Sequence, residues 1–227
     1  MNALRAIANC SLQRRDVEDL LATKLPHSLT DCEMEECDLS RLDLSHWAFE
    51  RCILRNAKLV GARLANTLWR NCKASGADFR GTDLEEATFR TGDYSNTSFR
   101  RAKAASTAFT GCKLTGADLS KISALGLVFE EVLLMSAKLP AFSFRKSVLR
   151  RLDFTQADLR QCDFREAIFE ECSLRDANLV DARFEGADLR GADLGGLKLA
   201  DTRYFKGATI SKGQAGQLLA ELGLRIA

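Results

Sequence analysis

Every fifth position from about Leu29 to Tyr204 is apolar, most often Leu or Phe, and the register holds throughout. One stretch of this column reads Met34, Leu39, Leu44, Phe49, Leu54, Leu59, Leu64, Trp69, Ala74, Phe79, Leu84 and Phe89; another reads Phe164, Phe169, Leu174, Leu179, Phe184, Leu189, Leu194 and Leu199. A second column of small residues stands two places earlier, with Cys52, Ala57, Ala62, Cys72, Ala77, Thr82 and Ala87 among its members. A helical period of 3.6 would smear these residues around a cylinder, and a strand period of 2 would send successive repeats to opposite faces. A period of five with a small and a large inward residue predicts short extended segments joined by turns. Such repeats stack as a solenoid and bury one continuous core.

The phrases "TGADLS", "GADFRGTDLEEATF" and "EGADLRGADLGG" resemble the pentapeptide-repeat family, whose consensus is A-(D/N)-L-x-x. The resemblance covers about three quarters of the chain, or about 36 units. It implies an all-β solenoid, a right-handed quadrilateral β-helix with four pentapeptides per coil, the central residue and the small one pointing inward. About nine coils at about 4.8 Å each would give a rod on the order of 43 Å long.

Three segments follow: an N-terminal cap over 1–26, the β-helix over 27–206, and a C-terminal helix and tail over 207–227. In the first, "RRDVEDLLATKL" predicts a short helix that turns Val17, Leu20 and Leu21 onto the first coil. In the last, Ser211 and Gln214 form a capping box before a helix ending at Gly223, with Ala215, Leu218, Leu219 and Leu222 along one stripe. This helix covers the apolar end of the solenoid, which is also an unpaired strand edge. The resemblance adds a second role. In the Qnr-like, topoisomerase-protecting branch a terminal helix and tail build a two-fold dimer, which would make Leu218, Leu219, Leu222, Leu224 and Ile226 the homodimer interface.

No apolar run approaches the roughly 20 residues that span a bilayer, and "MNALRAIANC" is short and weakly apolar for a signal peptide. The expected location is the cytoplasm, with no membrane contact. Seven of the eight cysteines, Cys32, Cys37, Cys52, Cys72, Cys112, Cys162 and Cys172, fall in the small-residue column. They read as compact apolar filler rather than ligands, since no C-x-x-C spacing accompanies them. Neither His27 nor His46 has a recognisable nucleophile and orienting carboxylate around it. The recurring aspartates, such as Asp78, Asp118, Asp158, Asp188 and Asp193, read as turn carboxylates. No catalytic, metal or cofactor site is expected.

Residues twenty apart should stack on adjacent coils. One outer ladder then reads Asp38, Lys58, Asp78, Ser98, Asp118 and another Asp43, Arg63, Asp83, Lys103, Ser123, with charges alternating. The fourth face departs from this: Ala48, Leu68, Thr88, Ala108, Val128, Val148, Ile168. Leu68, Val128, Val148 and Ile168 mark either a partner face or a strand surface of ordinary β-branched residues. Between 121 and 152 the small column enlarges to Ile122, Leu127, Val132, Phe142 and Leu152, with Ala124 in a central position. Larger side chains there should swell the coils. Leu125, Leu133 and Met135 add a secondary apolar patch.

The Qnr-like branch binds DNA gyrase and topoisomerase IV and protects them from quinolones and other poisons by resembling duplex DNA. The net charge of +2 and the lack of an acidic stripe depart from that pattern. Basic pairs such as Arg100 with Arg101 lie among acidic pairs such as Glu85 with Glu86, so no direct nucleic-acid binding is expected. The sequence points to a non-enzymatic protein-interaction rod, with gyrase or topoisomerase IV as partner. The alternative is a scaffold or adaptor, for example in a secretion or toxin-handling assembly, that docks a protein through the fourth face.

Overall fold

The computed structural model describes residues 5–197, 202–221 and 223–225, and the chain divides into two compact units, Met1–Phe129 and Glu130–Ala227. In both, the backbone turns a corner every five residues. The residue two places after the central one takes a left-handed conformation, as at Glu36 (φ 57°), Arg41 (φ 62°), Asn56 (φ 55°) and Gly61 (φ 66°). Bulky residues tolerate this region poorly. What holds them there is a hydrogen bond from the corner N–H to the next coil, Glu36 to the Arg55 carbonyl at 2.8 Å and Asn56 to Ser75 at 3.0 Å. A turn closes across the same corner, the Ala57 N–H donating to the Leu54 carbonyl at 3.1 Å.

Coils bond in both directions. The Leu39 N–H donates to the Lys58 carbonyl (2.7 Å) and the Lys58 N–H to Cys37 (2.9 Å). The outer ladders expected from twenty-residue spacing are present as parallel bridges, Asp38 to Lys58 to Asp78 to Ser98 to Asp118 among them. Taken together, the described residues of the two units make about nine turns.

The first unit carries seven strands in chain order: β1 (Arg5–Ala8), β2 (His27–Thr30), β3 (Ala48–Glu50), β4 (Leu68–Arg70), β5 (Thr88–Asp93), β6 (Ala108–Lys113) and β7 (Val128–Glu130). From β2 onward they lie on the fourth face, with Ala48 opposite Leu68 and Leu68 opposite Thr88. Beneath them the inward rings stack. Phe49 and Trp69 lie 4.0 Å apart, Phe89 and Phe109 4.5 Å, with interplanar angles of 12° and 11°. Of the enlarged residues at 121–127, Ile122 and Leu127 are only half-buried, as is the small central Ala124 beside them, which is how the unit accommodates their volume.

The N-terminal helix α1 (Arg14–Leu21) forms as expected, with Val17 buried and a Gln13–Asp16 capping box. The strand before it was not expected. β1 lies parallel to β2, Arg5 opposite His27 and Ile7 opposite Leu29, and Ser11 bridges Glu33. This offset is 22 residues because α1 occupies part of the coil. Ile7 and Leu12 are therefore central residues of an additional partial coil, and their own spacing of five was the available signal.

In the second unit β8 (Val148–Arg150) pairs with β9 (Ile168–Glu170), and β10 (Cys172–Ser173) with β11 (Ala192–Asp193). Phe144, Phe164 and Phe184 stack at 5.0 and 4.9 Å. The next ring is Phe205, 4.9 Å from Phe184 and 5° from parallel. The sequence register places Tyr204 there. The correction is a one-residue slip: a 3-10 turn at Thr202–Phe205 inserts a residue, and Asp188 bridges Thr209 instead of position 208. Helix α2 (Lys212–Glu221) follows. Its capping box is formed, the Ser211 N–H donating to Gln214 Oε1 (2.7 Å) and the Gln214 N–H to Ser211 Oγ (3.2 Å).

Candidate partner-binding face

Each fourth-face strand alternates an inward ring or leucine with an outward residue, as strand geometry requires. In the first unit the outward residues of β3 to β7 are Ala48, Leu68, Thr88, Ala108 and Val128. The first four are half-buried, and Val128 is 53% exposed. In the second unit Val148 and Ile168 sit directly opposite each other on β8 and β9, and are 43% and 42% exposed.

Charges wall this pair on both sides. Toward the C-terminal end of the strands Arg150 Nε meets Glu170 at 2.7 Å, and Arg151 pairs with Glu131. Toward the N-terminal end Glu166 holds Arg145 at 3.3 Å and Lys146 at 3.5 Å. Exposed pairs of this kind contribute about 0–1 kcal/mol each, so their main effect here is geometric. They hold long side chains beside the aliphatic strip and leave its top open.

Four aspartates elsewhere are bound into the turns by their side chains. Asp78, Asp158, Asp163 and Asp188 each accept the backbone N–H two residues on, from Arg80, Arg160, Arg165 and Arg190 at 3.0 to 3.4 Å. The same four arginines fold back onto them at 2.6 to 2.8 Å. The arginine hydrogen bond leads in holding Asp158, Asp163 and Asp188 below the usual carboxylate range. This is Asx-turn chemistry, repeated at the consensus Asp position. The column cysteines are buried, their thiols donating to carbonyls one coil away, Cys52 to Leu29 at 3.3 Å and Cys162 to Leu139 at 3.1 Å. Burial pushes the Cys112 and Cys162 thiols up to about 12.

Leu125 in the first unit is 82% exposed; Leu133 and Met135 in the second are 43% and 37% exposed. In the C-terminal segment Leu218 is buried. It is covered within the single chain. Leu219 and Leu224 remain open, while Leu222 and Ile226 lie outside the described residues. Sequence reasoning missed the second task of Gln214, whose Nε2 donates to the Leu189 and Ala192 carbonyls at 2.7 Å each. A polar residue on the apolar stripe of a terminal helix was the signal for it.

The repeated corner, the twenty-residue ladders and the inward columns define a protein of the quadrilateral β-solenoid class. The chain belongs to the pentapeptide-repeat family. Residues 27–99 match the model of a pentapeptide repeat region, and 92–121, 129–165 and 167–203 match that of pentapeptide repeats in eight copies. No curated protein matches the sequence. Among solved structures, full-length QnrB1, a plasmid-mediated fluoroquinolone resistance protein, shares 20% identity with a TM-score of 0.73, over 96% of this chain and all of that one. A trypsin-treated, singly substituted form of QnrB1 gives 21% and 0.75 over 88% of this chain and all of that one. HetL of the cyanobacterium Nostoc sp. strain PCC 7120, involved in heterocyst differentiation regulation, gives 24% and 0.50 over 89% of this chain and 84% of that one.

Proposed function

We propose that this chain is a non-catalytic protein-binding module that engages DNA gyrase or topoisomerase IV in the cytoplasm and protects them from quinolones. The fold shared with QnrB1 along nearly the whole chain carries this reading. Eight free thiols, seven of them buried, suit a reducing compartment. The contact chemistry differs from duplex mimicry. With a net charge of +2 and outer ladders of alternating sign, the module grips its partner through the aliphatic strip of Val148 and Ile168 within its ion-paired walls. Leu68 and Val128 serve the same role in the first unit. Two aliphatic side chains fall far short of the roughly 800 Å² per partner of a stable interface, so they act as anchors within a wider contact.

The assay is quinolone-stabilised DNA cleavage by gyrase and by topoisomerase IV, with purified protein titrated in. Protection at micromolar protein supports the reading, and unchanged cleavage by both enzymes overturns it. The adaptor reading, a scaffold docking another protein, is favoured by the apolar rather than acidic character of the fourth face. It predicts no effect on either topoisomerase together with a partner whose capture is lost in Ile168→Asp.

The module pairs with a second copy through its C-terminal segment, where Leu219 and Leu224 are exposed beside a docked helix. Light scattering of the chain truncated before Lys212 should report a monomer. A persisting dimer would remove α2 as its seat.

A further inference from the structure

We propose that Cys10 and Cys32 form an oxidative modification site, a thiol pair that a hydroperoxide closes to a disulfide, fastening the N-terminal strand to the first full coil. Their sulfurs lie 3.4 Å apart. The two residues are neighbours across the ladder because the 22-residue offset of the first coil puts Cys10 above Cys32. The backbone fixes this: the Glu33 N–H donates to the Cys10 carbonyl at 2.9 Å and the Leu12 N–H to Glu33 at 2.8 Å. Adjacent strands stand about 4.8 Å apart, within the about 4.4–6.8 Å between α-carbons that a disulfide bridges. Rotation about the side-chain bonds then brings the sulfurs to bonding distance without moving the strands.

Access separates Cys10 from the other thiols, and Cys32 is the buried thiol within its reach. Cys52 and Cys72 continue the same column but are fully buried, as are Cys112 and Cys162. Cys10 alone is partly open to solvent. The chemistry runs in two balanced steps. With hydrogen peroxide, the Cys10 thiolate attacks one oxygen and the O–O bond breaks, giving a sulfenic acid and hydroxide, which takes up the thiol's proton as water. The Cys32 sulfur then attacks the sulfenic sulfur, and its proton leaves with that hydroxyl as a second water. Two thiols lose two electrons to one hydroperoxide. Burial and the Cys32 hydrogen bond push the Cys10 thiol up to about 11, so little thiolate exists at neutral pH. Closure answers sustained oxidant and speeds up as pH rises toward that value.

The consequence falls on β1, the end strand of its sheet. Its outward residues are exposed, and it is attached to the coil below by a few backbone bonds. A covalent link across the α1 excursion prevents this strand from fraying.

The test uses the full-length protein treated with hydrogen peroxide and then denatured for thiol titration and peptide mapping. The expected result is loss of two of the eight thiols, reversed by dithiothreitol, with the Cys10 and Cys32 peptides joined. Amide exchange at Ile7 and Ala8 should slow on the order of tenfold. Cys10→Ser, at a partly exposed site that tolerates a hydroxyl, should keep all its remaining thiols under the same treatment. Eight surviving thiols, a link between other cysteines, or a joined pair with unchanged exchange in β1 would each overturn the proposal. Peptide mapping of the unsubstituted protein decides the pairing even if the variant folds poorly.

Discussion

Trp69 stands in a column built mostly of Leu and Phe, and it brings an indole N–H into the interior. Its partner is Thr67 in the small-residue column, whose Oγ1 accepts that N–H at 2.9 Å and donates to the Leu64 carbonyl at 2.6 Å. Replacing Thr67 by Ala leaves a buried donor unmatched. It should cost about 1–3 kcal/mol in urea unfolding, with the slope unchanged. Tyr94 poses the same problem without the remedy, since its fully buried hydroxyl has no hydrogen-bond partner. Tyr94→Phe removes the orphan group and should raise stability by about 1 kcal/mol in the same titration. Gly92 is what lets that ring in. A β-carbon there would meet the Tyr94 ring and the Cys72 carbonyl at 2.8 Å each. The inward columns were legible because burial repeats with the period of the chain. These adjustments were not, because each depends on a neighbour two positions away in a particular rotamer.

At the scale of elements, the ends of the solenoid depart furthest from the repeat. The capping box at Ser211 was legible because it is local and has a fixed spacing. β1 and the Phe205 slip were hidden because a helix or a 3-10 turn shifts the coil-to-coil offset to 22 or 21 residues, and periodicity reports only unbroken register. His27, at the start of β2, sits under Trp47 with ring centroids 4.8 Å apart and neither nitrogen hydrogen-bonded. Burial holds its pKa below the ordinary value of 6.5. Well above pH 6.5 the ring is neutral in both folded and unfolded chains and the site is pH-independent. Below that, the unfolded chain takes up a proton that the folded site resists, so stability declines as pH falls toward the folded-state pKa. Thermal melts should show the unsubstituted protein losing stability from pH 7 to pH 5 relative to His27→Phe. Parallel pH curves for the two would exclude this titration. At the other end, Gln214→Ala removes half of the capping box and both bonds to the last coil. Amide exchange should show α2 opening far more readily, with the Phe144 to Phe184 stack unaffected.

At the scale of the whole molecule, near-neutral charge and alternating ladders leave the aliphatic positions of the fourth face as the distinguishing surface. That face was legible as a sequence column. The ion-paired walls around Val148 and Ile168 were legible only as alternating signs, since pairing depends on which long side chains reach across coils. The central claim is that this strip engages a type II topoisomerase. It is tested most directly by measuring binding of immobilised gyrase and topoisomerase IV to the unsubstituted protein and to Val148→Asp and Ile168→Asp, each checked for an unchanged melting temperature. The account predicts micromolar or tighter binding to at least one enzyme, weakened at least about tenfold by either substitution, equivalent to about 1.4 kcal/mol or more. Binding unaffected by both substitutions, or none to either enzyme, would contradict it.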